Sequence, residues 1–184
     1  MSGVIRENDT FFGIIAGAIA LAAKEGKVSE KKIESTLGVR RPTAAKVMCA
    51  LAVMNLLGEK HGKKSLYAGA PDEAERVLRR KDEFAQDYLP LVEEDKAFRE
   101  IGAEKYMTGT LLPAVKIGIL YGSLSVVFLE RKMSVAYERA HEIFDIIAAC
   151  GLLGEEDDIN PGRRKMLMTF ADYDSLYRRV GAEA

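Results

Sequence analysis

One register relates the two halves of this chain: residues 96 positions apart match without a gap through three consecutive helical segments. Leu56-Leu57-Gly58 falls on Leu152-Leu153-Gly154. Upstream, Leu51 meets Ile147, Met48 meets Phe144, Val47 meets Ile143 and Ala44 meets Ala140. Further back, Val39 meets Val135, Leu37 meets Met133, Glu34 meets Glu130 and Ile33 meets Leu129. Ser29 then meets Ser125, and Gly26 meets Gly122. Two unrelated amphipathic helices match by chance over one helix. A register that survives two turns is what a repeated fold produces when its apolar positions and punctuating residues are kept.

Each half reads in the same order. A first helix runs from near Asp9 to Lys24 and ends at Gly26, a residue that takes the left-handed conformation closing a helix. Ser29 caps a short helix over 30–37. After Gly38-Val39, Pro42 opens a third helix that runs to about Asn55, with Ala44, Val47, Met48, Leu51, Met54 and Leu56 on its core face. Strands over 57–60 and 65–68 flank His61-Gly62-Lys63-Lys64, a hairpin that forms a wing. The second half predicts helices over 112–121, 126–132 and 137–150, then a hairpin of 152–155 and 165–169 around Asn160-Pro161-Gly162. The fold class expected is mainly α with small β-hairpin wings: tandem winged-helix (helix-turn-helix) units over 1–70 and 111–184, joined by a helical connector over 71–110. A short last helix over 174–180 is expected.

Bulk properties narrow the class. Hydrophobic residues make up 48 % and charged residues 30 % of the 184, and mean hydropathy is -0.07, values of a soluble globular protein. The apolar stretch over 11–23 is too short to span a bilayer and has no basic lead-in, so it is expected as a buried first helix. Cys49 and Cys150 form no CxxC pair and are expected as buried, reduced thiols in a cytoplasmic, nucleoid-associated protein. Net charge of -1 conceals an asymmetry: 11 Lys and Arg against 6 Asp and Glu over 1–70, 7 against 11 over 71–110, and 9 against 11 over 111–184. The basic first unit is therefore the one expected to face a polyanion.

In the second half, Phe128 to Asp145 sets Leu129, Arg131, Met133, Val135, Tyr137, Arg139 and Ala140 in a spaced pattern, followed by Gly151-Leu152-Leu153-Gly154. This stretch resembles the C-terminal gamma domain of the FtsK/SpoIIIE DNA translocases, a winged helix. The resemblance is clearer over 112–170 and weaker over 9–69, where Arg41-Pro42-Thr43-Ala44-Ala45-Lys46-Val47-Met48 carries it. It implies double-stranded DNA binding without a motor, in chromosome or plasmid maintenance or in transcriptional regulation. Gly58 to Ser65 reads G-E-K-H-G-K-K-S, one residue short of a phosphate-binding loop and leading into a strand, so no nucleotide site is expected.

A winged helix sets its third helix in the major groove and its wing on the backbone. The candidate DNA-binding residues of the first unit are Arg40, Arg41, Thr43 and Lys46 on the helix and Lys60, His61, Lys63 and Lys64 on the wing. Those of the second are Arg131, Lys132, Arg139, Arg163, Arg164 and Lys165. Glu138 and Glu142 stand where the resembled family tends to carry Asn and Arg, and Asp145 follows one turn on. Carboxylates there repel phosphates, which leaves open a second reading: a protein-interaction adaptor, like the tandem winged-helix subunits of chromosome-condensing complexes. No catalytic constellation, cofactor or metal set is expected; His141 is alone, and Tyr67, Tyr106, Tyr121, Tyr137, Tyr173 and Tyr177 make no stacking ladder. A protein partner or a homo-oligomer fits Phe11, Phe12 and Ile14, if those side chains are not spent on the chain's own core.

Overall fold

The computed structural model describes residues 10–57, 65–66, 72–84 and 102–180. The first half places α1 over Phe11–Glu25, β1 over Lys27–Val28, α2 over Glu30–Leu37, α3 over Arg41–Val53, β2 over Ser65–Leu66 and α4 over Glu73–Glu83. In the second half a helical stretch runs as α5 (Ala103–Tyr106), a π-helical turn (Met107–Leu111) and α6 (Leu112–Tyr121). It continues with β3 (Ser123–Leu124), α7 (Val126–Met133), α8 (Tyr137–Ala149), β4 (Leu153–Glu156), β5 (Arg164–Met166) and α9 (Phe170–Arg179).

The chain is mainly helical, and its described strands are antiparallel. Element bounds repeat at the 96-residue spacing: α2 on α7, α3 on α8, β1 on β3, and α1 on 107–121. Local chemistry explains the agreement. Ser29 Oγ accepts from Lys32 N at 3.3 Å and Ser125 Oγ from Phe128 N at 3.1 Å, so the same hydroxyl starts the same helix twice. Gly26 and Gly122, at φ 70 and 74, turn the chain out of the preceding helix into a two-residue strand. Lys27 pairs with Leu66, and Ser123 with Lys165, so β1 lies against β2 and β3 against β5. The second sheet has the order β3-β5-β4.

Two helix boundaries differ from expectation. The helix expected from 112 starts at Ala103, because the π turn carries it through Gly109 without a break. The last helix begins at Phe170, because Thr169 and Asp172 form a reciprocal capping box. Residues 58–64 and 67–68 of the expected first wing, and 85–101 of the expected connector, lie outside the described residues.

One apolar core takes in both halves, from Phe12, Ile15 and Ile19 of α1 to Ile143, Phe144 and Ile147 of α8. The start of α1 is spent on that core; Phe11, Phe12 and Ile14 are all buried. Each half's closing helix reaches the other half. Arg80 of α4 donates to the Ala149 carbonyl at 3.0 Å, and Arg179 of α9 donates to the Ala52 carbonyl at 3.0 Å. The first satisfies a carbonyl that the end of α8 leaves without a helical partner, and the second adds to the bond that the Ala52 carbonyl accepts from Asn55 N at 3.1 Å. Gly151 stands beside the first, at φ 77, and a Cβ there would lie 2.7 Å from the Arg80 guanidinium. Gly151→Ala is therefore expected to lose about 1–3 kcal/mol, from left-handed strain and the displaced arginine. Urea unfolding measures it, and a loss under about 0.5 kcal/mol would contradict the arrangement.

Candidate nucleic-acid interface

The third helices decide what this interface can be. α3 is buried on nearly every side, from Ala44 to Leu51, and α8 from Ala140 to Ala149 except at Glu142, which is half-buried. Both are covered because they pack against each other and against the first helix of the opposite half: α1 touches α8, and α5 touches α3. A helix enclosed this way reads as apolar nearly all round.

Lys46, expected on an exposed groove-facing surface, is only 5 % exposed. Its Nζ meets Glu142 Oε1 at 2.7 Å and lies 5.6 Å from the Tyr106 ring centroid. Lys46 is thus corrected from a phosphate contact to an inter-half ion pair. The same pair accounts for Glu142, a carboxylate out of place in a groove reader. The Tyr106 hydroxyl titrates well above its ordinary value, first because it is buried and second because the Glu142 carboxylate is near.

The other candidates scatter. Arg40 and Arg41 are exposed at the start of α3, Arg41 lying 3.9 Å from Glu30, and Thr43 is half-buried. Lys60, His61, Lys63 and Lys64 lie outside the described residues. Arg139 is half-buried and its Nη2 donates to Thr110 Oγ1 at 3.4 Å. Arg164 stacks on Phe84, 4.1 Å from the ring centroid, which fixes it to the core of the joint. Arg131, Lys132 and Lys165 are exposed. Arg163 donates through Nε to Ser123 Oγ and lies 5.9 Å from the Phe128 ring. The six candidate cations of the second half therefore divide into Arg139 and Arg164, directed inward, and Arg131, Lys132, Arg163 and Lys165, grouped around α7 and β5.

Cys49 and Cys150 are buried and unlinked, and burial pushes both thiols up to about 12, so neither is an ordinary nucleophile. His141 is buried, with Nδ1 3.4 Å from Asp145 Oδ1. Among the described residues no group of three or more His, Cys, Asp or Glu could hold a metal ion, and no helix is long and apolar enough to cross a membrane.

Tyr121 and Phe128 are seven residues apart, with no local pattern linking them. Their rings meet edge to face at 4.9 Å on the outside of the second half. No known family model, curated protein or solved structure matches this chain.

Proposed function

We propose that the chain is a pair of winged helices serving as a protein-interaction adaptor rather than as a reader of base sequence. The order helix, short strand, helix, helix, hairpin supports the winged-helix part, as does the strand order β3-β5-β4. The resemblance to a translocase DNA-binding domain makes chromosome maintenance the first setting to examine.

The observation that carries the adaptor reading is the mutual burial of α3 and α8. A groove reader inserts the first turns of its third helix into a major groove about 12 Å wide. Here Ala44, Ala45 and Lys46 of one such helix are buried, and Lys46 is neutralised by the counterpart position of the other. Separating the halves to free these helices exposes a large part of the shared core, at a cost that phosphate contacts would have to exceed.

The exposed Arg40 and Arg41 favour duplex DNA as the second reading. Titration of a labelled duplex at two salt concentrations separates the two. The adaptor reading expects only non-specific affinity, on the order of 10⁻⁵ M or weaker at physiological salt. It also expects no more than a small change on Arg40→Ala, Arg41→Ala or on alanine at Lys60, Lys63 and Lys64. Tight binding that falls steeply with salt and collapses in those variants would overturn it.

A further inference from the structure

The repeat supplies an internal control for surface residues. At the end of α1 and on the outer side of α2, the first half carries Lys24, Glu25, Lys31 and Lys32. Glu25 and Lys32 form an ion pair at 3.0 Å. The counterpart positions in the second half are Leu120, Tyr121, Val127 and Phe128. Where the first half has the ion pair, the second has the Tyr121–Phe128 ring contact. The backbone elements are the same, and they accept four charged side chains in water. Folding therefore does not require apolar side chains at the three exposed positions, while Phe128 is half-buried against the core. Leu120 is nonetheless 58 % exposed, Tyr121 50 % and Val127 46 %. Exposed apolar groups gathered at one place, on a backbone that tolerates charge there, are the mark of a surface kept for a partner.

The rim states the partner's charge. Lys132 donates to the Tyr121 hydroxyl at 2.8 Å, with its Nζ 4.6 Å from that ring's centroid. Arg163 stands at Phe128. Lys116 lies one turn before Leu120 on α6, and Arg131 one turn after Val127 on α7, beside Glu130; with Asp157 near Arg163, the rim carries four cations against two carboxylates. β4, with Glu155 and Glu156, is separated from β3 by β5.

We propose that the surface formed by Leu120, Tyr121, Val127 and Phe128 docks an acidic, apolar-faced segment of a partner protein. The proposal rests on the adaptor reading and gives it a location. The aliphatic Leu120 and Val127 bury well against leucine or phenylalanine of a peptide and offer nothing to a base. The cations around them suit discrete carboxylates on the segment's other positions. A second copy of this chain is disfavoured, because an isologous contact would bring two copies of the same predominantly cationic rim into one interface.

The test uses the full chain and a displayed library of random peptides of about 15 residues. The control protein carries Leu120→Lys, Tyr121→Glu and Val127→Lys, which transplants the first half's residues at the three exposed positions and leaves the half-buried Phe128 in place. Peptides enriched on the native protein are expected to combine Asp or Glu with Leu or Phe. Their affinity is expected to fall at least about tenfold on the threefold variant, whose thermal midpoint and circular dichroism stay native. No acidic-apolar enrichment, or equal binding to the variant, overturns the proposal. So does a single-stranded oligonucleotide that binds more tightly than the peptides and is lost in the variant, which would make this a nucleic-acid surface. A dimer in sedimentation that the variant abolishes overturns it in favour of self-association. The adaptor reading stands or falls separately, on the duplex titration of the native chain.

Discussion

Phe84→Ala is expected to lower the unfolding free energy by about 3–5 kcal/mol, among the largest effects of any single truncation in the described residues. The ring closes α4 at 2 % exposure, between Phe12 of the first half, 6.1 Å away, and Phe144 of the second, 6.2 Å away in an edge-to-face contact. The Arg164 guanidinium covers a face at 4.1 Å. Removing the ring opens a cavity at the junction of α1, α4 and α8, and it strips Arg164 of its stacking partner as well. Phe84→Leu keeps most of the volume and is expected to cost about 1–2 kcal/mol. Chemical unfolding of the three proteins measures both. A loss below about 1 kcal/mol for the alanine variant would mean that the halves do not share this core.

How much of this was readable beforehand depends on whether the signal was local. The short helices expected over 30–37 and 126–132 were legible because a serine cap starts each and Gly38 closes the first, whereas the second runs to Met133 and leaves through Ser134, which no glycine marks. The strands β1 and β3 were not, since two residues carry no alternation, and only the pairing of Lys27 with Leu66 and of Ser123 with Lys165 defines them. The capping box at Thr169 and Asp172 was present in the sequence and was passed over for a later start. Burial of α3 was partly written in its composition: Ala44, Ala45, Val47, Met48, Cys49, Ala50 and Leu51 leave little polar surface for a groove. The single Lys46 in that run looked like a DNA contact because its partner lies 96 residues away, beyond any local pattern. The apolar patch at Leu120, Tyr121, Val127 and Phe128 was also legible in principle. It appears when the repeat is compared for its differences at exposed positions instead of its agreements in the core.

That partner gives the second large expectation. Lys46 and Glu142 are counterpart positions of the repeat, so this ion pair joins a residue to its own equivalent. Their side chains are only 6 % and 17 % exposed. Removing one member leaves the other charge in a poorly solvated joint, and Glu142→Ala is expected to cost about 3 kcal/mol. Lys46→Met combined with Glu142→Leu removes both charges, and is expected to return to within about 1 kcal/mol of the native protein, because a fully apolar pair avoids the desolvation cost. The pair's value is then in specificity. If first halves of two molecules paired through α3, Lys46 would meet Lys46; if second halves paired through α8, Glu142 would meet Glu142. Only the contact within one chain joins unlike charges, so the pair directs the two halves toward each other and away from copies. The neutral double variant is therefore expected to stay stable yet form concentration-dependent dimers on refolding, while the reversed pair Lys46→Glu with Glu142→Lys stays monomeric to the same extent as the native chain. Sedimentation after refolding reads this directly. A neutral variant that refolds no more to dimers than the native chain does would show that the apolar surfaces of α3 and α8 alone choose the partner.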